Sequence, residues 1–294
     1  MLRLRAALLF VACIWLAASA GTQQPPQVHR NLRGTVRGPG TDRTRVTVWH
    51  NDMNKHAIEP IAEGFANADG TFAFDRVPWF ARQQWGSQSV VVVARRNGQA
   101  GLVTLRSDEA RTDQIDVTVA ATIELGGRVH GADGKPLAGA RVWPAVFGDS
   151  PNHQPKAWVT EPLLPWIAET GADGAFTLRG LPPLPPFQLR VEHPDHAKAW
   201  VDAGDGTEWV LAELQPGARI RGHVRLPDGT PAPRVRVAAA ATGAGFGHTL
   251  SDEHGAFILT GLPAGRYKVW AEAPDLTVVA AAGIEATAGN VASD

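Results

Sequence analysis

The sequence predicts an all-β chain of three tandem antiparallel β-sandwich domains behind an export leader, and three observations predict it. A ten-residue string recurs, as DGTFAFDRVP at 69–78, DGAFTLRGLP at 173–182 and HGAFILTGLP at 254–263. A Gly-x-Val strand opens each unit, at Gly34-x-Val36, Gly127-x-Val129 and Gly222-x-Val224, spaced 93 and 95 residues apart. Between these markers run short alternating apolar stretches punctuated by 31 Gly and 22 Pro, with no long helical period after the leader. Many short strands joined by tight turns make sandwiches. Units of this spacing are domains in their own right, since solenoid repeats run to about 20–50 residues.

The leader comes first. Arg3 and Arg5 precede an apolar run from Ala6 to Ala18, which ends in Ala18-Ser19-Ala20, the small-x-small pattern of a signal-peptidase site. The run is too short to span a bilayer comfortably, and nothing later is longer. Cleavage after Ala20 removes Cys13, the only cysteine, and leaves no disulfide, thiol nucleophile or thiolate metal ligand. An alternative takes Phe10-Val11-Ala12-Cys13 as a lipobox with Cys13 lipidated, but the apolar stretch continues through Ile14-Trp15-Leu16. Residues 1–20 therefore read as a signal peptide and 21–31 as an extended leader. The expected location is the periplasm, cell surface or medium.

The first unit, 32–120, diverges most: GPGTD stands where the others have an Asp-Gly-x-Pro turn, and the chain resumes with Val46-Thr47-Val48. The second, 121–215, has Asp133-Gly134-Lys135-Pro136 and then Ala140-Arg141-Val142. The third, 216–294, has Asp228-Gly229-Thr230-Pro231 and then Val235-Arg236-Val237. In the recurring strings, Phe72/Phe74, Phe176/Leu178 and Phe257/Leu259 put apolar groups at i and i+2, the period of a half-buried strand. The preceding Gly supplies a turn conformation that a Cβ resists. The Pro at 78, 182 and 263 predicts the strand's end, because it cannot donate to a ladder. Further strands follow at Val90–Ala94, Phe187–Val191 and Tyr267–Ala271.

This order of motifs resembles the carboxypeptidase regulatory-like domain, a transthyretin-like (prealbumin) β-sandwich. The third unit carries the resemblance furthest, through Leu262-Pro263-Ala264-Gly265-Arg266-Tyr267-Lys268-Val269, while the second has Phe187 in place of the tyrosine. The first shares Gly34-Thr35-Val36 and residues 69–78. The resemblance implies a fold and an accessory or structural role in exported bacterial proteins, and its fold class is shared with some carbohydrate-binding domains. It assigns no catalytic residue.

The residues point away from catalysis too. Net charge is −1 and no run of Arg marks a stripe, which removes the electrostatic argument for nucleic acid or anionic membrane. His56-Ala57-Ile58-Glu59 matches H-x-x-E, yet two fixed letters in four recur by chance and no third ligand is placed by spacing. Glu192-His193-Pro194-Asp195-His196 aligns with Glu272-Ala273-Pro274-Asp275-Leu276, so the shared E-x-P-D reads as a turn and the histidines as solvated additions. G-x-S-x-G and phosphate loops are absent. The expectation is no enzyme, no metal and no cofactor; a metal-dependent hydrolase stands a distant third among the functions.

Tryptophan remains: nine of ten lie after Ala20, against a single Tyr. Trp49, Trp143, Trp200, Trp209 and Trp270 sit in strand alternations and read as packing residues. Trp79 and Trp85 flank the proline of the first unit, and Trp158 and Trp166 lie in a stretch some fourteen residues longer than its counterpart in the third unit. Long loops in compact domains carry binding, or else they pack. Trp79, Trp85, Trp158 and Trp166 are therefore the expected ligand or partner surface, with a clamp between the first two units as the rival. A cell-envelope protein or a polysaccharide is the expected partner.

Overall fold

The computed structural model describes residues 13–15, 17–18, 28–40, 43–52, 57–79, 88–106, 114–147, 157–158, 166–183, 187–203, 206–241, 245–273, 276–289 and 291–293. It is all-β among the described residues. The chain begins with β1 (Cys13–Trp15) and β2 (Ala17–Ala18). The first repeat comprises β3 (Val28–Arg37), β4 (Arg45–Asp52), β5 (Ala57–Phe65), β6 (Thr71–Trp79), β7 (Gln88–Arg96), β8 (Gln99–Arg106), β9 (Gln114–Thr118) and β10 (Ala120–Ala121). These pair as sheets β6-β3-β9 and β10-β8-β7-β4-β5.

The second repeat comprises β11 (Ile123–Gly131), β12 (Arg141–Phe147), β13 (Ala157–Trp158), β14 (Ala168–Glu169), β15 (Ala175–Leu181), β16 (Phe187–His193), β17 (His196–Ala203) and β18 (Trp209–Leu214). Its sheets are β15-β11-β18 and β13-β12-β16-β17, with β14 also on β12. The third comprises β19 (Ala218–Arg225), β20 (Arg236–Ala241), β21 (Gly245–Leu250), β22 (Ala256–Leu262), β23 (Gly265–Ala273), β24 (Leu276–Ala286) and β25 (Val291–Ser293). Here β19 pairs with β22, β25 and β1, and the second sheet runs β2-β24-β23-β20-β21.

The recurring motifs interlock in all three repeats. The Gly-x-Val strand lies antiparallel to the strand of the recurring string (β3 on β6, β11 on β15, β19 on β22). The N–H groups of Val36, Val129 and Val224 donate to the carbonyls of Gly70, Gly174 and Gly255 at 2.8, 2.9 and 2.7 Å. A Cβ on Gly34 would lie 2.3 Å from Phe72 Cζ and 2.2 Å from the Ile115 carbonyl, so the first motif's glycine makes room for the second motif's phenylalanine. Asp69 Oδ1 accepts from Thr71 N and Oγ1, and Asp228 Oδ1 does the same with Thr230, which closes these turns. Side-chain and backbone hydrogen bonds from those threonines hold both carboxyls below their usual range.

Each repeat has an apolar cluster: Val46, Val48, Phe72, Val92 and Val117 in the first; Leu125, Trp166, Phe176 and Leu189 in the second; Ile220, Phe257, Tyr267 and Val269 in the third. The prolines end the strand in the second and third repeats, where β15 stops at Leu181 and β22 at Leu262. In the first, β6 runs through Pro78 to Trp79. It is the outer strand of its sheet, where a missing donor costs nothing on the open side.

The first and second repeats share packing. Val91, Val93 and Ala100, on strands β7 and β8, belong to the apolar cluster of the second repeat, with Trp49, Ile58 and Leu102 packed against it. On β4, Val46 and Val48 point into the first repeat's own cluster while Trp49 points away from it. The outer face of one sheet has thus become part of the neighbour's core.

Candidate functional site

Of the four tryptophans expected at a surface, Trp166 requires correction. It is 1% exposed within the second repeat's cluster, and its Nε1 donates to the Gly180 carbonyl at 2.8 Å. An indole whose N–H reaches a backbone acceptor can be buried whole, so Trp166 is a core anchor. Trp158 lies in β13, which pairs with Val146 and Phe147 of β12 and runs beside β8 of the first repeat. Trp79 ends β6 opposite Val28. The side chains of Trp79 and Trp158, and all of Trp85, lie outside the described residues.

His56 also lies outside the described residues. Glu59 places Oε1 3.8 Å from Nδ1 of the buried His50. Among the described residues no group of three or more His, Cys, Asp or Glu is placed to hold a metal ion. His193 and His196 are half-buried rather than solvated. Their Nδ1 atoms lie 3.0 Å apart with the rings edge to face, and burial, then the neighbouring His193, pushes the His196 pKa down.

These histidines stand where the second repeat meets the third. Gly217 N donates to the Asp195 carbonyl at 2.9 Å, and Arg219 of β19 pairs with the Asp195 carboxylate. Arg190 and Lys198 sit 2.6 and 3.0 Å from Glu192 Oε1. Burial raises the Glu192 pKa, but these two cations outweigh it and hold the carboxyl below its usual range. From the third repeat, His248 on β21 faces the same charges. Burial, then Arg236, Lys198 and Arg190, pushes its pKa down to about 4.

The Arg190 guanidinium also lies 5.7 Å from the Trp143 ring and 5.2 Å from the Trp200 ring, so one cation is shared between two indoles. Trp143 is buried; Trp200 is 42% exposed. On β18, Trp209 and Leu211 are each 55% exposed, and Val210, Ala212 and Leu214 turn inward. Trp200 and Trp209 are the aromatic surfaces that the sequence reading assigned to packing. For Trp209 the signal was present: counted back from Leu214, it falls on the opposite phase to the core positions.

A cleft of about 290 Å³ opens on the first repeat, lined by Arg45, Thr47, Trp49, Pro60, Glu63, Val93 and Arg95. Strand pairing builds it: Thr47 stands opposite Glu63 and Val93, and Arg45 opposite Arg95. Arg45 Nη2 lies 2.6 Å from Glu63 Oε1. The cleft joins an indole, a hydroxyl, a carboxylate and two guanidiniums, a mixed apolar and polar lining suited to a small polar ligand.

Residues 219–293 match the carboxypeptidase regulatory-like domain. No curated protein matches the chain. Among solved structures, the chain is similar to a streptococcal ancillary pilin, at 11% identity over 86% of this chain and 95% of that one, with a TM-score of 0.22. It is also similar to the shaft pilin SpaA of Lactobacillus rhamnosus GG, at 14% identity over 64% and 98% with a TM-score of 0.25. A third is the minor pilin GBS52 of Streptococcus agalactiae, at 13% over 63% and 95% with a TM-score of 0.26. Likeness at these values carries no argument about function. Among the described residues no helix is long and apolar enough to cross a membrane.

Proposed function

We propose that this chain, in which residues 219–293 match the carboxypeptidase regulatory-like domain, is an exported, non-catalytic structural and interaction protein. Its three sandwiches, residues 32–120, 121–215 and 216–294, act as one packed array. The observation that carries the reading is the shared core: Val91, Val93 and Ala100 are buried among residues of the second repeat. Hydrophobic burial between repeats opposes independent movement, which suits a spacer or platform. The exposed Trp200 on β17, and Trp209 with Leu211 on β18, supply contact points on the outer faces of two different sheets, since exposed aromatics are the residues that anchor interfaces. A cell-envelope protein is the partner these aromatics favour.

The test is association of the purified chain with isolated cell envelopes, compared with Trp200→Ala and Trp209→Ala variants. Reduced association at an unchanged melting temperature supports the reading. Turnover of peptide or glycoside substrates by the purified chain contradicts it. The cleft at Trp49 favours a second reading, saccharide binding, because a hydroxyl, a carboxylate and two guanidiniums beside a partly buried indole can hold a sugar's hydroxyls. Binding of an envelope polysaccharide that is lost in Glu63→Gln and Arg95→Ala selects that reading.

A further inference from the structure

The two ends of the described chain meet at the third repeat. Strand β1 pairs parallel with β19, Cys13 opposite His223, Ile14 opposite Val224 and Trp15 opposite Arg225. Strand β2 pairs antiparallel with the start of β24, Ala17 opposite Thr277 and Ala18 opposite Leu276. One short segment therefore touches the edges of both sheets of the sandwich. Among the described residues the last strand, β25, pairs with Arg219–Arg221.

The first repeat has the same device, made from its own residues. Strand β9 pairs parallel with β3, with Asp116 opposite Thr35, Val117 opposite Val36 and Thr118 opposite Arg37. Strand β10 then pairs antiparallel with the start of β8, with Ala120 opposite Ala100 and Ala121 opposite Gln99. Aligned on Gly-x-Val, Val36 corresponds to Val224, so Ile14 holds the register position of Val117. The spacing is identical: Ala120-Ala121 stands four residues beyond Asp116, and Ala17-Ala18 four beyond Cys13. Val117 and Val119 are buried in the first repeat, so this strand closes the core as well as the edge. In the second repeat β18 runs parallel to β11 from Gly126 to Gly131, and Pro216 bridges His196 of β17. All three sandwiches thus close with a strand that crosses between sheets, and in the third a segment from the N-terminus supplies it.

We propose that this edge, His223–Arg225 together with Leu276–Thr277, is a strand-acceptor site for an extended peptide with apolar residues at alternate positions. Cys13–Ala18 is its occupant here. A chain cut after Ala20 loses that occupant and presents two unpaired edges side by side, a template for strand addition from another protein. The site deepens the proposed interaction role by naming the partner as an apolar extended segment. It uses neither Trp200 nor Trp209, so either can fail without the other.

The experiment uses the chain beginning at Gly21 and the soluble peptide QIDVTVAA, the sequence of residues 114–121. The peptide should bind one to one, raise the melting temperature and slow amide exchange in residues 222–226 roughly tenfold. A peptide with its two valines replaced by Asp should do none of this. An unmoved melting temperature and exchange rate overturn the proposal, including the case where the shortened chain pairs edge to edge with a second copy. Should the shortened chain not fold, the chain from Met1 with Ile14→Pro serves instead. Faster exchange confined to 222–226 and the start of β24 is expected, and unchanged exchange there overturns the proposal.

Discussion

Gly255 has φ +74°, and a Cβ there would lie 2.4 Å from the Val224 carbonyl that the fold brings against it. Gly255→Val should therefore destabilise the third sandwich strongly, from both the left-handed backbone and the clash. Phe257, two residues on, is buried in the same cluster; Phe257→Ala should cost roughly 3–5 kcal/mol by denaturant unfolding. An unchanged midpoint for either variant would mean that the recurring string does not build the core. These residues were legible in the sequence because repetition exposed them: a glycine that only a turn requires, with a phenylalanine at fixed distance, recurs wherever the backbone recurs. Trp166 was not legible. It closes the lengthened stretch, and no local pattern says that its indole returns under β15 to reach the Gly180 carbonyl. Trp166→Ala should cost roughly 3–5 kcal/mol, and its fluorescence should resist iodide. Trp209→Ala should change stability by less than about 0.5 kcal/mol.

At the scale of elements, the junction between the second and third repeats joins charged strand faces, which makes it sensitive to acid. The pKa of His248 falls from 6.5 to about 4 on folding, so the imidazole is neutral in the native state and protonates more readily when unfolded. Between those values the unfolded chain binds the extra proton, and stability falls as pH drops. The contribution is fully present above about pH 6.5 and is lost progressively toward pH 4. Glu192, whose pKa is held below 4.5, adds a loss that begins only below that value. His248→Gln should flatten the dependence of the melting temperature between pH 6.5 and 4 while leaving the steeper loss at lower pH. A profile identical to that of the parent chain would show that His248 does not face these charges. Strand identity and order could be read from alternation and turn residues, but the partners of outer faces could not. Trp200 and Arg190 come together from different strands, β17 and β16, in a register set by the turn at 194–195.

For the whole molecule, the spacing of 93 and 95 residues revealed three units and was silent on how they join. The outer face of the first five-stranded sheet offered a clue: in β7, Val90 to Val93 are four consecutive apolar residues, and a strand with one face in water alternates instead. That run needs cover on both sides. Val90 and Val92 take it from their own sandwich, and Val91 and Val93 from the next. The same packing should couple the first two repeats in unfolding, so Val93→Asp, which puts a charge into the second repeat's cluster, should lower the stability of both. Repeats joined by a shared core form one body, whereas repeats held only by linkers move as beads. Small-angle X-ray scattering of the chain from Gly21 on tests that most directly. A single arrangement with the first two sandwiches in contact should reproduce the profile, unchanged by salt. A profile that requires an ensemble of independently moving domains would contradict the account.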